Sequence, residues 1–285
     1  MPSRNRRVRR FGLIIGFLVV SLGVGTFVSV CSADWIRQKG EKRFQPSLDG
    51  KFLWGPINGF VQIPTGGQPG STSVDRPTFE ELDINFVSMG DIAGGLGWTD
   101  HTLYGGARLV RLSGDSVLTR PLVSQGITFP AGSPVSSDIQ LDWYRGGYRY
   151  RFAYANEEGD QISFAPAVGF ALLNFDYELR GTTGAAQRGF TEGALQLGVE
   201  GDWSPKGPFS VSAGIMSTLP VSDWPLIFSI QATGGYQLWG EGDRGGRVVL
   251  GIGFDRIQFE DDQTIPNKID ANLGPLLLVG LEVSF

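Results

Sequence analysis

From Lys51 to the carboxyl terminus, apolar and polar side chains trade places at every second position in one stretch after another. Leu195, Leu197, Val199 and Trp203 alternate with Gln196, Gly198, Glu200 and Asp202. Phe228, Ile230, Ala232, Tyr236 and Leu238 alternate with Ser229, Gln231, Thr233, Gly235 and Gln237, and Val248, Leu250, Ile252 and Phe254 with Gly251, Gly253 and Asp255. Ile139, Leu141 and Trp143 lead into Tyr148, Tyr150, Phe152 and Tyr154, with Asp142, Arg149 and Arg151 on the other face. A period of two is the mark of a strand with one apolar face. About ten such segments are predicted: 51–63, 84–98, 101–118, 137–154, 161–180, 191–203, 209–220, 226–239, 246–259 and 274–285. A tilted strand needs about 9–11 residues to cross a membrane. Strands of soluble domains average about five or six, so these lengths count against a sandwich.

The connections alternate in length. Pro64 to Asp83 and Thr119 to Ser136 are long, Gly181 to Phe190 is medium, Val221 to Pro225 is short for its side, and Glu260 to Leu273 is long again. Between them fall tight turns at Thr99-Asp100, Ala155 to Asp160, Ser204 to Pro208 and Glu241 to Gly245. Short turns on one side and longer loops on the other are the habit of transmembrane barrels, and an even strand count puts both ends of the barrel on the short-turn side. In hydrocarbon a sheet must close, because an edge would strand unpaired N–H and C=O groups. The expected fold is therefore all-β: a closed antiparallel up-and-down transmembrane barrel of about ten strands, apolar faces outward and polar faces in the lumen. Trp98, Trp203, Trp224, Trp239 and Tyr154 lie near strand ends, where interfacial girdles form. Inward glycines such as Gly198, Gly251 and Gly253 give room to larger neighbours. Arg108 and Arg111 fall on opposite faces of one strand, so one of them is expected at a rim or a bulge.

Composition agrees. The chain has 285 residues and 42 glycines, about 15% and roughly twice ordinary usage, without a collagen period. Hydrophobic residues at 41% exclude disorder. The amino terminus reads as an export signal: Arg4, Arg6, Arg7, Arg9 and Arg10 precede an apolar run from Phe11 to Val30, and Cys31-Ser32-Ala33 offers a cleavage site before Asp34. An uncleaved anchor stands beside that reading, because the apolar run is long enough to span a bilayer. The expected organisation is a signal peptide over 1–33, a periplasmic lead-in over 34–50 and the barrel over 51–285. Cys31 is the one cysteine, so no disulfide framework or thiolate metal site is expected. Losing those five arginines takes the formal net charge from −5 to −10, which argues against nucleic acid as a partner.

The last ten residues, Leu276 to Phe285, carry a sharper signal. Leu277, Val279, Leu281, Val283 and Phe285 are apolar at alternate positions, and the chain stops on an aromatic residue, where soluble domains fray into polar tails. Together with the export signal and the alternating strands, this run resembles small outer-membrane β-barrels of Gram-negative bacteria, the OmpA-like and porin-like membrane domains being nearest. The resemblance covers about Lys51 to Phe285 as architecture. It implies that Val279, Leu281, Val283 and Phe285 match the assembly signal read by the barrel-assembly machinery, and that the partners are this machinery and outer-membrane lipid. A monomer in the outer membrane is the expected state.

Candidate chemistry is thin. Enzymes on such barrels, as the resemblance has it, commonly use a histidine with a serine or carboxylate at the outer rim. The one histidine, His101, lies beside the Thr99-Asp100 turn on the opposite side. No G-x-S-x-G elbow, H-E-x-x-H pair or phosphate loop is present, and no catalytic, cofactor or metal residue is assigned. Arg108, Asp142, Arg149, Arg151, Glu178, Glu200, Asp202, Asp255 and Glu282 are candidates for the lumen, where charges are expected to pair and plug a narrow barrel. Glu260, Asp261, Asp262 and Asp270 could hold a hard cation but read as a solvated loop. The leading function is non-enzymatic: structural support, surface interaction or passage of small solutes. The rivals are an outer-membrane enzyme acting on lipid or peptide, and a soluble periplasmic barrel tethered by its amino-terminal helix.

Overall fold

The alternating runs pair with their neighbours in chain order and close on themselves. The computed structural model describes residues 36–37, 44–63, 76–241, 244–262 and 266–285. The expected signal peptide and most of the lead-in lie outside them. The barrel strands are β1 (Phe44–Gln62), β2 (Phe86–Trp98), β3 (His101–Val117), β4 (Pro134–Tyr150) and β5 (Gln161–Gly181). They continue with β6 (Gly184–Ser204), β7 (Phe209–Thr218), β8 (Leu226–Glu241), β9 (Arg244–Glu260) and β10 (Lys268–Ser284). Every sequential pair is antiparallel, and β10 pairs β1 from Lys268↔Gln62 down to Ser284↔Ser47. The Phe285 amide then donates to the Pro46 carbonyl at 3.0 Å. The fold is a closed, ten-stranded, up-and-down antiparallel barrel.

Several strands run further than their alternation suggests. Phe44–Gly50, expected in the lead-in, is barrel wall. β5 and β6 stay paired up to Gly181↔Gly184, so the expected medium loop there is a two-residue turn at 182–183 with Gly184 at φ +142°. β10 starts at Lys268, which shortens the last loop. β4 gives way at Arg151 to a short strand, Phe152–Ala155, whose backbone pairs Ile36–Arg37.

The two halves of the barrel face their surroundings differently. In the turn-end half the apolar face points out: Phe44, Leu48 and Phe52 on β1, Leu103 on β3, Val168 and Phe170 on β5, Leu195 and Leu197 on β6, and Leu277, Leu281 and Phe285 on β10 are all exposed. On β5 this run extends from Ile162 to Leu172, the length that crosses a bilayer core. Trp98, Trp203 and Trp239 ring its turn-end margin, as interfacial aromatics do. In the loop-end half the pattern inverts. There Leu53 and Ile57 (β1), Met89 (β2), Val110 and Leu112 (β3), Trp143 (β4), Leu173 and Phe175 (β5), and Ile257 and Phe259 (β9) form a buried core inside the barrel. The outer face carries Arg111, Asp138, Gln140, Asn174, Asp176 and Glu178. The expectation of a polar lumen therefore holds for one half only. Outside the loop-end half the favourable neighbour is water, so the same period-two pattern turns its apolar side inward.

Two gaps in the loop-end wall are closed by other means. β2 begins only at Phe86, and above it a strap over 77–85 bonds along β1: the Phe79 amide donates to the Gly59 carbonyl at 3.1 Å, and the Ile57 amide to the Asn85 carbonyl at 3.2 Å. Phe79, Leu82 and Ile84 of the strap enter the core. β7 and β8 stop short of β6 and β9, and there Phe190 of β6 meets Phe259 of β9 with ring centroids 4.8 Å apart.

Candidate functional site

Across mid-height the interior is closed by a charged belt. Arg108 of β3 is 3% exposed, with Asp91 of β2 at 2% and Asp255 of β9 at 1%. Its Nε donates to Asp91 Oδ2 at 2.8 Å, its Nη2 to the same oxygen, and its Nη1 to Asp255 Oδ2 at 2.5 Å. Arg145 of β4 donates to Asp91 Oδ1 at 2.7 Å, and the Ser229 hydroxyl of β8 donates to Asp255 Oδ1. The Arg108 guanidinium also lies 5.2 Å from the centroid of the Trp143 ring. Each carboxylate thus has an arginine and further donors, the condition under which buried charges are tolerated. The belt ties strands on opposite sides of the barrel and sits directly under the apolar core.

Below the belt lies a cavity of about 550 Å³. Its lining reaches the β6–β7 turn at Lys206 and Gly207, which places the mouth at the turn end. Arg149 of β4 pairs with Glu200 of β6. Arg247 of β9 donates to Glu282 of β10 at 2.7 Å, and Lys51 of β1 lies 3.3 Å from both Glu282 and Asp49. Asp202 of β6 accepts from the Ser163 hydroxyl at 3.2 Å and the Ser212 hydroxyl at 2.6 Å. Tyr104 of β3 extends into the cavity under the Arg149 guanidinium, 5.0 Å away, and its hydroxyl fills the space that a Cβ would need at Gly147 and Gly169. The Met216 thioether likewise occupies the place of a side chain at Gly198.

The structure brings Arg108, Arg149, Glu200, Asp202, Asp255 and Glu282 together in the interior, with Arg151 on the cavity lining near its mouth. It does not bring Asp142 there. Asp142 lies opposite Asn174 and shares the outer face with Tyr144, while Trp143 points inward. It is 1% exposed nonetheless, because the Val110 amide (2.9 Å), Arg111 Nη1 and the Gln140 amide (2.7 Å) surround it. Glu178 is also on the outer face, opposite Asp138 and held by Arg180 Nε at 2.6 Å. Both corrections have one cause: these residues belong to the loop-end half, where the polar face is the wet outside. Arg111 is the arginine at the rim, at the upper margin of the apolar band. Asp91, Lys51, Arg145 and Arg247 were missed as lumenal residues. Adjacent apolar doublets, Phe52-Leu53, Leu109-Val110, Trp143-Tyr144 and Leu172-Leu173, mark the inversion and could have located it.

His101 sits outside the barrel at the turn end. Its Nδ1 shares a 2.6 Å hydrogen bond with the Tyr148 hydroxyl, its ring stacks on Trp98 at 5.8 Å, and Tyr150 meets it edge-on at 5.1 Å. Three of the four acidic residues expected in the last loop are engaged locally: Lys268 donates to Glu260 at the end of β9 at 3.0 Å, Asp261 accepts the Asn267 amide at 2.9 Å, and Asp270, which falls within β10, accepts from Gln258 at 2.9 Å. Among the described residues no three His, Cys, Asp or Glu side chains gather as metal ligands.

No family model matches the chain, and no curated protein does. Among solved structures it is similar to the attachment invasion locus protein Ail of Yersinia pestis, in complex with a heparin analogue, with 8% identity over 85% of this chain and 99% of that one, at a TM-score of 0.39. It is similar also to the outer membrane protease OmpT of Escherichia coli, with 10% identity, coverage of 90% and 99%, and a TM-score of 0.39. The transport unit of the autotransporter AIDA-I from Escherichia coli follows at 10% identity, coverage of 86% and 91%, and a TM-score of 0.38. At these values none of the three assigns a family or a role to the chain.

Proposed function

We propose that this protein is an outer-membrane β-barrel that is sealed rather than conducting, and that it works as a structural or surface-interaction scaffold without enzymatic chemistry. The observation that carries the reading is the Asp91–Arg108–Asp255 belt across the interior, backed on its loop side by a buried apolar core. A hydrated solute would have to break paired buried charges and then cross a packed apolar layer, each costing several kcal/mol. The outward apolar band of turn-end strand halves, edged by tryptophans, fits a bilayer, and the polar outer face of the loop-end half fits water beyond it. In this reading Phe285 and the alternate residues Val279, Leu281 and Val283 meet lipid once folded and serve the assembly machinery before that. His101 supports the non-enzymatic part, because it is packed among aromatic rings at the turn end, remote from the loop-end half.

Planar-bilayer recording of the purified, folded barrel tests the seal. Silence over a wide voltage range is the expected result, with heat-modifiable gel mobility as the control for folding; steady unitary currents would overturn the sealed reading.

A further inference from the structure

Seven cationic side chains line the turn-end cavity, Lys51, Arg145, Arg149, Arg151, Lys206, Arg244 and Arg247, against the four carboxylates Asp49, Glu200, Asp202 and Glu282. Counting the belt's Arg108, Asp91 and Asp255 as well leaves eight cations to six carboxylates. Arg149, Arg247 and Lys51 are matched by Glu200, Glu282 and Asp49. The surplus lies at two levels. At the mouth, Lys206 of the β6–β7 turn and Arg244 at the start of β9 form no ion pair with a described carboxylate; Asp160 bonds the Lys206 backbone amide, not its ammonium. At the floor, Arg145 gives one bond to Asp91, a carboxylate that Arg108 already holds, and its side chain is 18% exposed. Two donors in the same wall also lack an acceptor. Arg149 Nε and the Tyr104 hydroxyl are buried without a hydrogen-bond partner, and a buried donor left unpaired costs about 1–3 kcal/mol.

We propose that the turn-end cavity binds a small phosphate-bearing anion, with Arg145 and Arg149 at its floor and Lys206 and Arg244 at its entry. Arg145 and Arg149 stand on one face of β4 with Gly147 between them, and their cross-strand neighbours on β5, Ala171, Gly169 and Ala167, are small. That leaves room for the guanidinium forks, whose paired N–H donors match phosphate oxygens. A phosphate dianion offsets a surplus of two charges, whereas a single carboxylate offsets half of it. A cleft lined by an excess of one sign also concentrates the opposite ion. The volume of about 550 Å³ exceeds a bare phosphate and is within the range of small-molecule pockets. Asp202, held only by the Ser163 and Ser212 hydroxyls, repels such a ligand and limits its affinity. Because the belt closes the far end, the anion enters and leaves on the turn side alone.

Inorganic phosphate titrated calorimetrically into the full-length protein, folded in neutral detergent in a low-salt, slightly alkaline buffer, tests the site. One-site binding is expected. Arg145→Gln should weaken it at least tenfold, and Lys206→Gln combined with Arg244→Gln at least fivefold. Asp202→Asn, which keeps the shape and removes the repelling charge, should tighten it. Arg180→Gln, the loss of a cation on the outer wall of the loop-end half, should leave affinity unchanged. No heat at millimolar phosphate, unchanged binding in the turn pair, equal losses in the turn pair and Arg180→Gln, or weaker binding by Asp202→Asn would overturn the proposal. Succinate bound as tightly as phosphate would replace the phosphate assignment with a dicarboxylate. If Arg145→Gln does not fold, the turn pair and Asp202→Asn, none of which touches the belt, decide it.

Discussion

Phe190 and Phe259 meet ring to ring, centroids 4.8 Å apart, across the place where β7 and β8 are too short to continue the wall. Phe175 packs against Phe190 from behind at 4.9 Å. The contact is thus the lateral seal of the loop-end core between β6 and β9. Phe190 is only partly buried, so Phe190→Ala should cost about 2 kcal/mol, below the usual range for a fully buried ring. A double-mutant cycle with Phe259→Ala should return a coupling of about 0.5–1.5 kcal/mol. Urea unfolding of the barrel in lipid vesicles measures both.

The strap over 77–85 closes the other gap, and its fit depends on Gly114. A side chain there would collide with the Leu82 carbonyl and the Ile84 side chain. Since the carbonyl belongs to the strap backbone, relief requires moving the strap itself. Gly114→Ala should therefore lift it from the inner face of β3 and expose the buried Phe79 to chymotrypsin, while the turn-end half stays folded. Rapid cleavage after Phe79 with unchanged heat-modifiable mobility is the expected pattern. Unaltered protease resistance would mean that the strap tolerates the shift.

Glu81 fastens the same strap to the second long loop. It accepts from Arg120 at Nη2 (2.9 Å), from the Thr78 amide (3.0 Å) and from the Thr78 hydroxyl (3.1 Å). Burial works against its charge, but the hydrogen bonds from Arg120 and Thr78 outweigh it and hold the carboxyl below its ordinary range. A carboxylate with a lowered folded pKa stabilises fully above its unfolded pKa, and that stability is lost as pH falls through the folded value. Glu81→Gln should loosen the strap by about 1 kcal/mol at neutral pH, given the partial exposure of the pair. The difference from the parent should vanish in acid. Hydrogen-exchange protection of the strap amides, followed from neutral pH downward, reads both ends.

The strand number, the pairing of the last strand with the first and the siting of His101 at the turn end were legible because they depend on period and parity alone. Which face points inward was not, because alternation tells only which residues share a face. The sign of the pattern comes from what surrounds the barrel. On β5 the even positions Val168, Phe170 and Leu172 point out, and two steps on the odd positions Leu173, Phe175 and Leu179 are the buried ones. The backbone passes without a break. Asp142 and Glu178 were misplaced for this reason. β10 reverses for a different one: the irregularity between Leu273 and Leu277 puts Leu273 and Leu276 on the same inner side, and alternation counted straight through it fails.

Removing the central cation of the belt should separate its two roles. Arg108→Ala leaves Asp255 buried without its arginine, which should cost about 3–5 kcal/mol. The apolar core above, with Trp143, Met89 and Leu53, is untouched, so the variant should remain silent in planar bilayers. Currents in Arg108→Ala would show that the charged belt alone is the seal.

The inversion between the halves makes the sharpest demand, since it fixes where lipid ends on a single strand. Val168 lies on the outer face near the middle of the apolar run of β5, and Asn174 lies three outward positions higher on the same face. If the band is a bilayer band, Val168→Arg should cost about 2–4 kcal/mol and Asn174→Arg about 0–1. Both changes add one positive charge to the same face of the same strand, and the Asn174 change also loses the bond from the Thr191 hydroxyl (2.9 Å), which works against the expected contrast, so a larger cost at Val168 reports depth in hydrocarbon. Equilibrium unfolding in vesicles of the two variants decides it. Equal costs would mean that both halves share one medium, and the apolar belt would then need another explanation.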